Sequence, residues 1–311
     1  IVQTASCQLL AGTPKKQLVW ASHGDTVQVL PRGFRAIAHT DRGAIAAMAG
    51  MGGRVWGVQF HPEVTHTKFG KMILENFARL AGCKKDWRPK DQIVHIRKKV
   101  LRQVGNDKAV MGWSGGVDSS VTRKLLANVL GKKLLVVVID GGQFRHGELS
   151  WIKKQAKWFG KSRFKIVNIR KEMFAAMKGL LDAEAKRKAF QKVYFAALIR
   201  AAKAFGAKYL IQGTLAADRI ESGATGGDKI KTHHNVGYDT GALIQIHPLQ
   251  DLFKYEVREL GRQLGLPEEI WNRQPFPGPG LFLRCPGLEA TRKTIGIVRW
   301  ADHKATTIAK R

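Results

Sequence analysis

The stretch Ser114-Gly115-Gly116-Val117-Asp118-Ser119-Ser120 constrains this chain more than any other. Ala109 to Trp113 reads as a short buried strand ahead of it. Val121 to Leu130 places apolar residues at helical spacing behind it. The seven residues therefore turn a strand into a helix. Two glycines let the backbone turn sharply and come close to a ligand. Ser114, Ser119 and Ser120 add hydroxyls, and the free N–H groups of the first helical turn point into the same hollow. Such a hollow takes an anion, phosphate best of all. Asp118 sits badly among phosphates unless a cation lies between them, so the pattern implies Mg²⁺ at Asp118. A capped turn is the plainer reading of a bare Ser-Gly-Gly, but the full run between strand and helix is more specific. No lysine follows the glycines, which excludes a Walker A loop.

The 311 residues suffice for two domains, and the 44% hydrophobic content suffices for buried cores. No apolar run approaches the roughly 20 residues of a membrane span. The start, Ile1-Val2-Gln3-Thr4, shows no basic and apolar leader. Three widely spaced cysteines fit a reducing cytoplasm. The net charge of +29 is high. The basic residues are spread along the chain without an RNA-reading motif, so a basic solvated surface is the simpler account, with nonspecific RNA affinity as its consequence.

In chain order, Leu18 to Trp20, Thr26 to Leu30 and Arg54 to Phe60 read as strands, with short apolar runs at Ala36 to Ala38 and Ala44 to Met48. Phe69 to Leu80 reads as a helix with Met72, Ile73, Phe77 and Leu80 on one face. Lys84 to Pro89 is a linker, and Asp91 to Val104 an amphipathic helix. Beyond the glycine turn, strands at Leu134 to Ile139, Phe164 to Ile169 and Tyr209 to Ile211 alternate with helices at Glu148 to Phe159 and Lys188 to Phe205. A further helix is expected from Pro248 to near Gly265. Apolar strands alternating with helices predict a doubly wound parallel sheet, whose ligands sit beyond the strand C-termini. Ser114, Asp140, Gly142, Arg145 and Gly213 all fall there.

The glycine turn resembles the pyrophosphate loop of the N-type ATP pyrophosphatases, and Gly57-Val58-Gln59-Phe60-His61-Pro62-Glu63 resembles the His/Glu signature of class I glutamine amidotransferases. Together with Asp140-Gly141-Gly142-Gln143-Phe144-Arg145, Asp182 to Lys188, Gln212-Gly213-Thr214, Lys231-Thr232-His233-His234 and Arg273 to Leu281, the order of motifs is similar to that of the glutamine-hydrolysing GMP synthetase family. The resemblance implies an α/β chain in which the C-terminal half of a class I glutaminase fold precedes a doubly wound ATP pyrophosphatase domain. Its divisions are a partial amidotransferase domain at 1–83, the pyrophosphatase domain at 84–284 and the start of a dimerisation domain at 285–311. The implied reaction is GMP synthesis: MgATP adenylylates the C2 oxygen of XMP, and ammonia from glutamine displaces AMP.

The resemblance also assigns roles. Ser114, Gly115, Gly116, Val117, Asp118, Ser119, Ser120, Asp140 and Gly213 would bind ATP and pyrophosphate, with Mg²⁺ on Asp118. Arg145 would contact XMP, and Lys231, His233 and His234 would form a lid. His61 and Glu63 would serve ammonia release, and the complete protein would be a cytoplasmic homodimer. Four departures stand out. Gly141 replaces an asparagine, Gln274 replaces a histidine, and Trp113 replaces a smaller apolar residue. None of Cys7, Cys83 and Cys285 lies on the family's Gly-x-Cys-x-Gly elbow, so the glutaminase nucleophile is absent and the chain is expected to be cut short at both ends. A tRNA-thiolating pyrophosphatase and a basic RNA-binding protein on a degenerate nucleotide fold are the alternatives.

Overall fold

The computed structural model describes residues 1–84, 86, 88–160, 162–221, 242–276 and 278–309. The chain forms two compact units, Ile1–Trp87 and Arg88–Arg311. Among the described residues no helix is long and apolar enough to cross a membrane.

The first unit holds β1 (Val2–Gln3), β2 (Phe34–His39), β3 (Ile45–Gly50), β4 (Val55–Val58) and α1 (Gly70–Leu80). The strands make an antiparallel sheet in the order β1-β2-β3-β4. Leu9, Leu10, Ile37, Ala38, Phe60 and Ile73 are buried in its core. Two expected strands are absent: Leu18 to Trp20 and Thr26 to Leu30 join no ladder. Leu18 and Val29 are 84% exposed, so their alternation has no sheet to pack on. The expected apolar face of α1 is also narrower than its sequence suggests. Ile73 is buried, but Met72 and Phe77 are exposed. The buried neighbour at the next turn is Asn76, whose amide donates to the carbonyls of Leu9 and Ala11.

The second unit runs α2 (Pro89–Val104), β5 (Ala109–Gly112), α3 (Val117–Leu130), β6 (Leu134–Asp140), α4 (Glu148–Gln155), β7 (Arg163–Asn168), α5 (Arg170–Met177), α6 (Ala183–Phe205), β8 (Tyr209–Ile211), α7 (Ala216–Glu221), β9 (Ile244–Ile246), α8 (Lys254–Gln263), α9 (Glu268–Trp271) and α10 (Arg292–Ile308). Its five strands are all parallel in the order β7-β6-β5-β8-β9. The side-chain alternation of the strands divides the core. Met111, Val136 and Val138 pack with α2, α3 and α8 residues such as Val100, Val121 and Leu260. Val110, Leu135, Val137 and Ile139 pack with Met173, Leu198 and Ile295 from α5, α6 and α10. Helices therefore cover both faces, as a doubly wound sheet requires.

Four helix boundaries differ from the expected ones by four residues or more. The helix expected from Val121, α3, begins at Val117. The helix expected over 148–159 ends at Gln155 and continues as a 3-10 turn, Ala156–Phe159. The helix expected from Lys188 begins at Ala183, where the Asp182 carboxylate caps it by accepting from the N–H of Ala185 at 2.7 Å. Lys186 is fully buried there and donates to the carbonyls of Cys285 and Leu288, so it ties α6 to the chain's last segment. The helix expected from Pro248 begins at Lys254, where the N–H of Phe253 donates to Glu256.

Candidate functional site

The glycine turn lies where β5 feeds α3, at the C-terminal edge of the parallel sheet. Gly115 takes φ +77°, which favours glycine, and a Cβ there would meet Ile152 at 2.9 Å. The Ser114 hydroxyl accepts from the N–H of Gly116 at 3.3 Å and lies 3.2 Å from the Ser119 hydroxyl. Val117 opens the helix, so the turn sits at its positive end. Ser120 is fully buried behind the turn, where its hydroxyl accepts from the Trp113 indole N–H at 2.9 Å. Trp113 is itself buried, stacked on the Arg123 guanidinium at 4.3 Å and edge-on to Phe159 and Phe164.

Asp118 has a partner that the motif does not reveal. The Lys254 ammonium, at the first position of α8, donates to both carboxylate oxygens at 2.7 and 2.8 Å. Burial pushes the Asp118 carboxyl above the usual range, and Lys254 offsets this in part. Gly213 approaches the same turn so closely that a Cβ would lie 3.3 Å from the Asp118 backbone.

Beyond β6, the segment from Asp140 to Arg145 is held from several sides. The buried Asp140 carboxylate accepts from the N–H of Gly142 and pairs with Arg170 at 3.0 Å. Asp140 thus reaches the expected edge with its carboxylate already engaged. Gly141 has no side-chain amide, and the amide of Gln143 folds back onto the segment's backbone. Its oxygen accepts from the N–H of Gly141 and its nitrogen donates to the Ile139 carbonyl, each at 2.8 Å. A Cβ on Gly141 would lie 3.2 Å from that amide oxygen.

The Pro/Gly segment folds onto the same edge. Gly280, at φ +57°, would place a Cβ 2.3 Å from the Gln143 carbonyl, which also accepts from the N–H of Leu281. Arg273 donates to the Gly115 carbonyl, pairs with Glu148 and lies over Trp151. Arg145 and Arg284 both lie against the Phe276 ring, at 5.0 and 5.5 Å. Ser114, Asp118, Asp140, Arg145 and Gly213 therefore share one unit and one sheet edge. Lys231, His233 and His234 lie outside the described residues.

In the first unit, His61 Nδ1 lies 2.9 Å from Glu63 Oε1. A carboxylate only accepts, so Nδ1 carries the proton and Nε2 is the basic nitrogen of the neutral ring. Its own backbone N–H and the His61 ring hold the Glu63 carboxyl below the usual range. The turn is fixed by the Thr67 hydroxyl, which donates to the His61 carbonyl at 2.7 Å, and by the N–H of His61 donating to the Trp20 carbonyl. Gly70 starts α1 where a Cβ would meet the Pro62 carbonyl at 1.9 Å.

Among the described residues no cluster of three His, Cys, Asp or Glu side chains could hold a metal. Mg²⁺ needs no such cage, since one carboxylate and phosphate oxygens suffice with water. The Asp118 carboxylate is of that kind, and Lys254 holds both its oxygens in this structure.

Comparison with known proteins divides the chain in the same order. The family model for glutamine amidotransferase class-I matches residues 1–81, and the model for NAD synthase matches residues 90–278. A glutamine-hydrolyzing GMP synthase of Thermosipho africanus is 42% identical over 306 residues, covering 95% of this chain and 59% of that protein. One from a Nitratiruptor species is 43% identical over 306 residues, covering 95% and 58%. The chain thus spans about three fifths of the length of the curated relatives it matches. Among solved structures, an NMN synthetase from Francisella tularensis has a TM-score of 0.48 at 18% identity, covering 70% of this chain and 96% of that one.

Proposed function

Because this chain belongs to the NAD synthase family, with a class-I glutamine amidotransferase region ahead of that domain, we propose that it acts in GMP synthesis. MgATP adenylylates the C2 oxygen of XMP and pyrophosphate leaves. Ammonia from glutamine then displaces AMP, giving GMP. The observation that carries this reading is a pair of anion-receiving features on one sheet edge. One is the turn at the N-terminus of α3, with Lys254 beside it. The other is the guanidinium of Arg145 against Phe276. Two phosphate-bearing substrates need two such features.

In this reading the Ser114–Ser119 turn receives the leaving pyrophosphate, and Lys254 moves from Asp118 to a phosphate oxygen. Mg²⁺, held by Asp118, would neutralise phosphate charge when bound. Arg145 contacts XMP, and the resemblance alone assigns Lys231, His233 and His234 to the same substrates. His61, with Nε2 as base and Glu63 orienting the ring, serves ammonia release. The chemistry asked of the protein is positioning and charge neutralisation.

Pyrophosphate release from MgATP and ammonium, with XMP or tRNA as acceptor, tests the reading. Release is expected with XMP alone and is expected to vanish in Asp118→Ala while the fold persists. Release that needs tRNA, or that survives in Asp118→Ala, overturns it.

A further inference from the structure

We propose that Asp302 and Arg299, both on α10, are positioning residues for the nucleotide substrate: Asp302 locks one edge of the Arg145 guanidinium so that the opposite edge faces the incoming phosphate, and Arg299 holds the segment that carries Arg145. This rests on the reading of Arg145 as the XMP contact.

Asp302 accepts from Arg145 Nε at 2.7 Å and from Nη2 at 3.0 Å, a bidentate pair. The side chains are 28% and 11% exposed, so the pair is largely withdrawn from water. The Nε/Nη2 edge of the fork is thereby used, and among the described residues Nη1 remains unengaged. Phe276 covers one face of the guanidinium, and the Arg145 N–H donates to Glu148. The side chain is thus fixed from an edge, a face and its own backbone. Arginine has large rotamer freedom to lose, and a pre-set fork loses less of it on binding an anion.

Arg299 lies one helical turn before Asp302. It donates from Nε to the Phe144 carbonyl at 2.9 Å and from Nη2 to the Gly142 carbonyl at 2.7 Å. A second pair of neighbours repeats the contact, since the His146 and His303 rings lie 4.4 Å apart. Residues 142, 144, 145 and 146 of the segment therefore each meet α10. A helix that merely covered the sheet would need only its apolar face, here Ile295. The carboxylate also repels an arriving phosphate, and the two effects oppose each other. The intervening guanidinium and solvent screen that repulsion, so the loss of orientation is expected to win.

The test measures three quantities for each variant: the XMP Kd, the Kd of a non-hydrolysable MgATP analogue, and Tm. In Asp302→Asn the XMP Kd is expected to rise at least about tenfold, a change of about 1.4 kcal/mol. The analogue's Kd is expected to stay near wild type, while Tm falls because the partly buried Arg145 charge loses its ionised partner. Asp302→Glu, which keeps the charge and shifts the carboxylate by one methylene, is expected to weaken XMP binding less. Arg145→Ala separates this inference from the reading beneath it. If Arg145→Ala leaves XMP binding intact, the assignment of Arg145 to the substrate fails. If Arg145→Ala abolishes XMP binding while Asp302→Asn leaves it unchanged or tighter, the positioning role fails. A comparable rise in both Kd values together with a fall in Tm, in both Asp302 variants, would also overturn it, as a purely structural contact.

Discussion

The sharpest single-residue relation in the molecule is Asp118 with Lys254, two side chains 136 positions apart in sequence that share two short charge-assisted bonds. Burial raises the Asp118 carboxyl above the usual range and Lys254 draws it down in part. A carboxyl whose folded pKa lies above its unfolded one favours the fold when protonated. Its stabilisation is complete below the unfolded value of about 3.9 and is lost as pH rises through the folded value. Lys254→Met removes the lowering influence, so the folded value climbs further and ionised Asp118 is left without its cation. Chemical denaturation at pH 7 is expected to show the variant less stable by about 1–3 kcal/mol, and the gap is expected to close as pH falls toward about 4. A gap that is the same at both pH values would mean that Lys254 does not act on stability through the Asp118 charge.

At the scale of elements, α3 is tied to its sheet by an unusual group. Arg123 is buried among Trp113, Phe159 and Phe164 and bonds to the Ala156 carbonyl, while among the described residues its Nε and Nη1 find no partner. Burial pushes its pKa down to about 9. Dispersion and cation–π contact hold the side chain there, and its charge is a cost. Arg123→Met keeps most of the volume and is expected to unfold within about 1 kcal/mol of wild type. Arg123→Ala empties the aromatic box and is expected to cost about 2–4 kcal/mol. If Met proved as damaging as Ala, the charge itself would be the stabilising part. The sequence shows half of this group. Trp113 is legible as out of place before Ser-Gly-Gly, but Arg123 reads as one more surface cation in a basic chain. The same limit applies elsewhere. β5, β6 and β8 are legible because a strand buried on both faces is a continuous apolar run. Leu18 to Trp20 and Thr26 to Leu30 carry the pattern of strands without a sheet to join, and pattern alone does not report a partner. The charged start of α6 hides the Asp182 cap. The glycine turn is legible because its residues are consecutive. Lys254, Arg299 and Asp302 reach the site only through packing, so no local spacing reveals them.

The whole molecule joins two units with separate cores, and their chemistry is separable too. The second unit holds every described residue of the nucleotide edge, whereas the first holds His61 and Glu63. Releasing ammonia from glutamine requires a nucleophile, a base and an orienting group acting together. His61 Nδ1 is bound to Glu63, the arrangement that the proposed base and orienting group would need. The thiol is the question. Cys7 is half-buried against the first unit's core, ahead of a 3-10 turn, and has Ser6 and Gln8 beside it in place of an elbow's glycines. Cys83 is exposed just past the end of α1. Cys285 is buried in the second unit, with its Sγ 3.2 Å from the Phe282 carbonyl and 3.7 Å from the Lys186 ammonium. A buried thiol without access to substrate forms no thioester, and an exposed one without an oxyanion hole attacks amides poorly. Incubated with glutamine, the purified 311-residue chain is therefore expected to release no glutamate above the uncatalysed background. Any XMP-dependent turnover is expected to draw its nitrogen from added ammonium. The measurement is glutamate formation by the wild-type chain and by Cys7→Ser, Cys83→Ser and Cys285→Ser. Glutamate release that disappears in one of these variants would identify that cysteine as the nucleophile and make His61 its base.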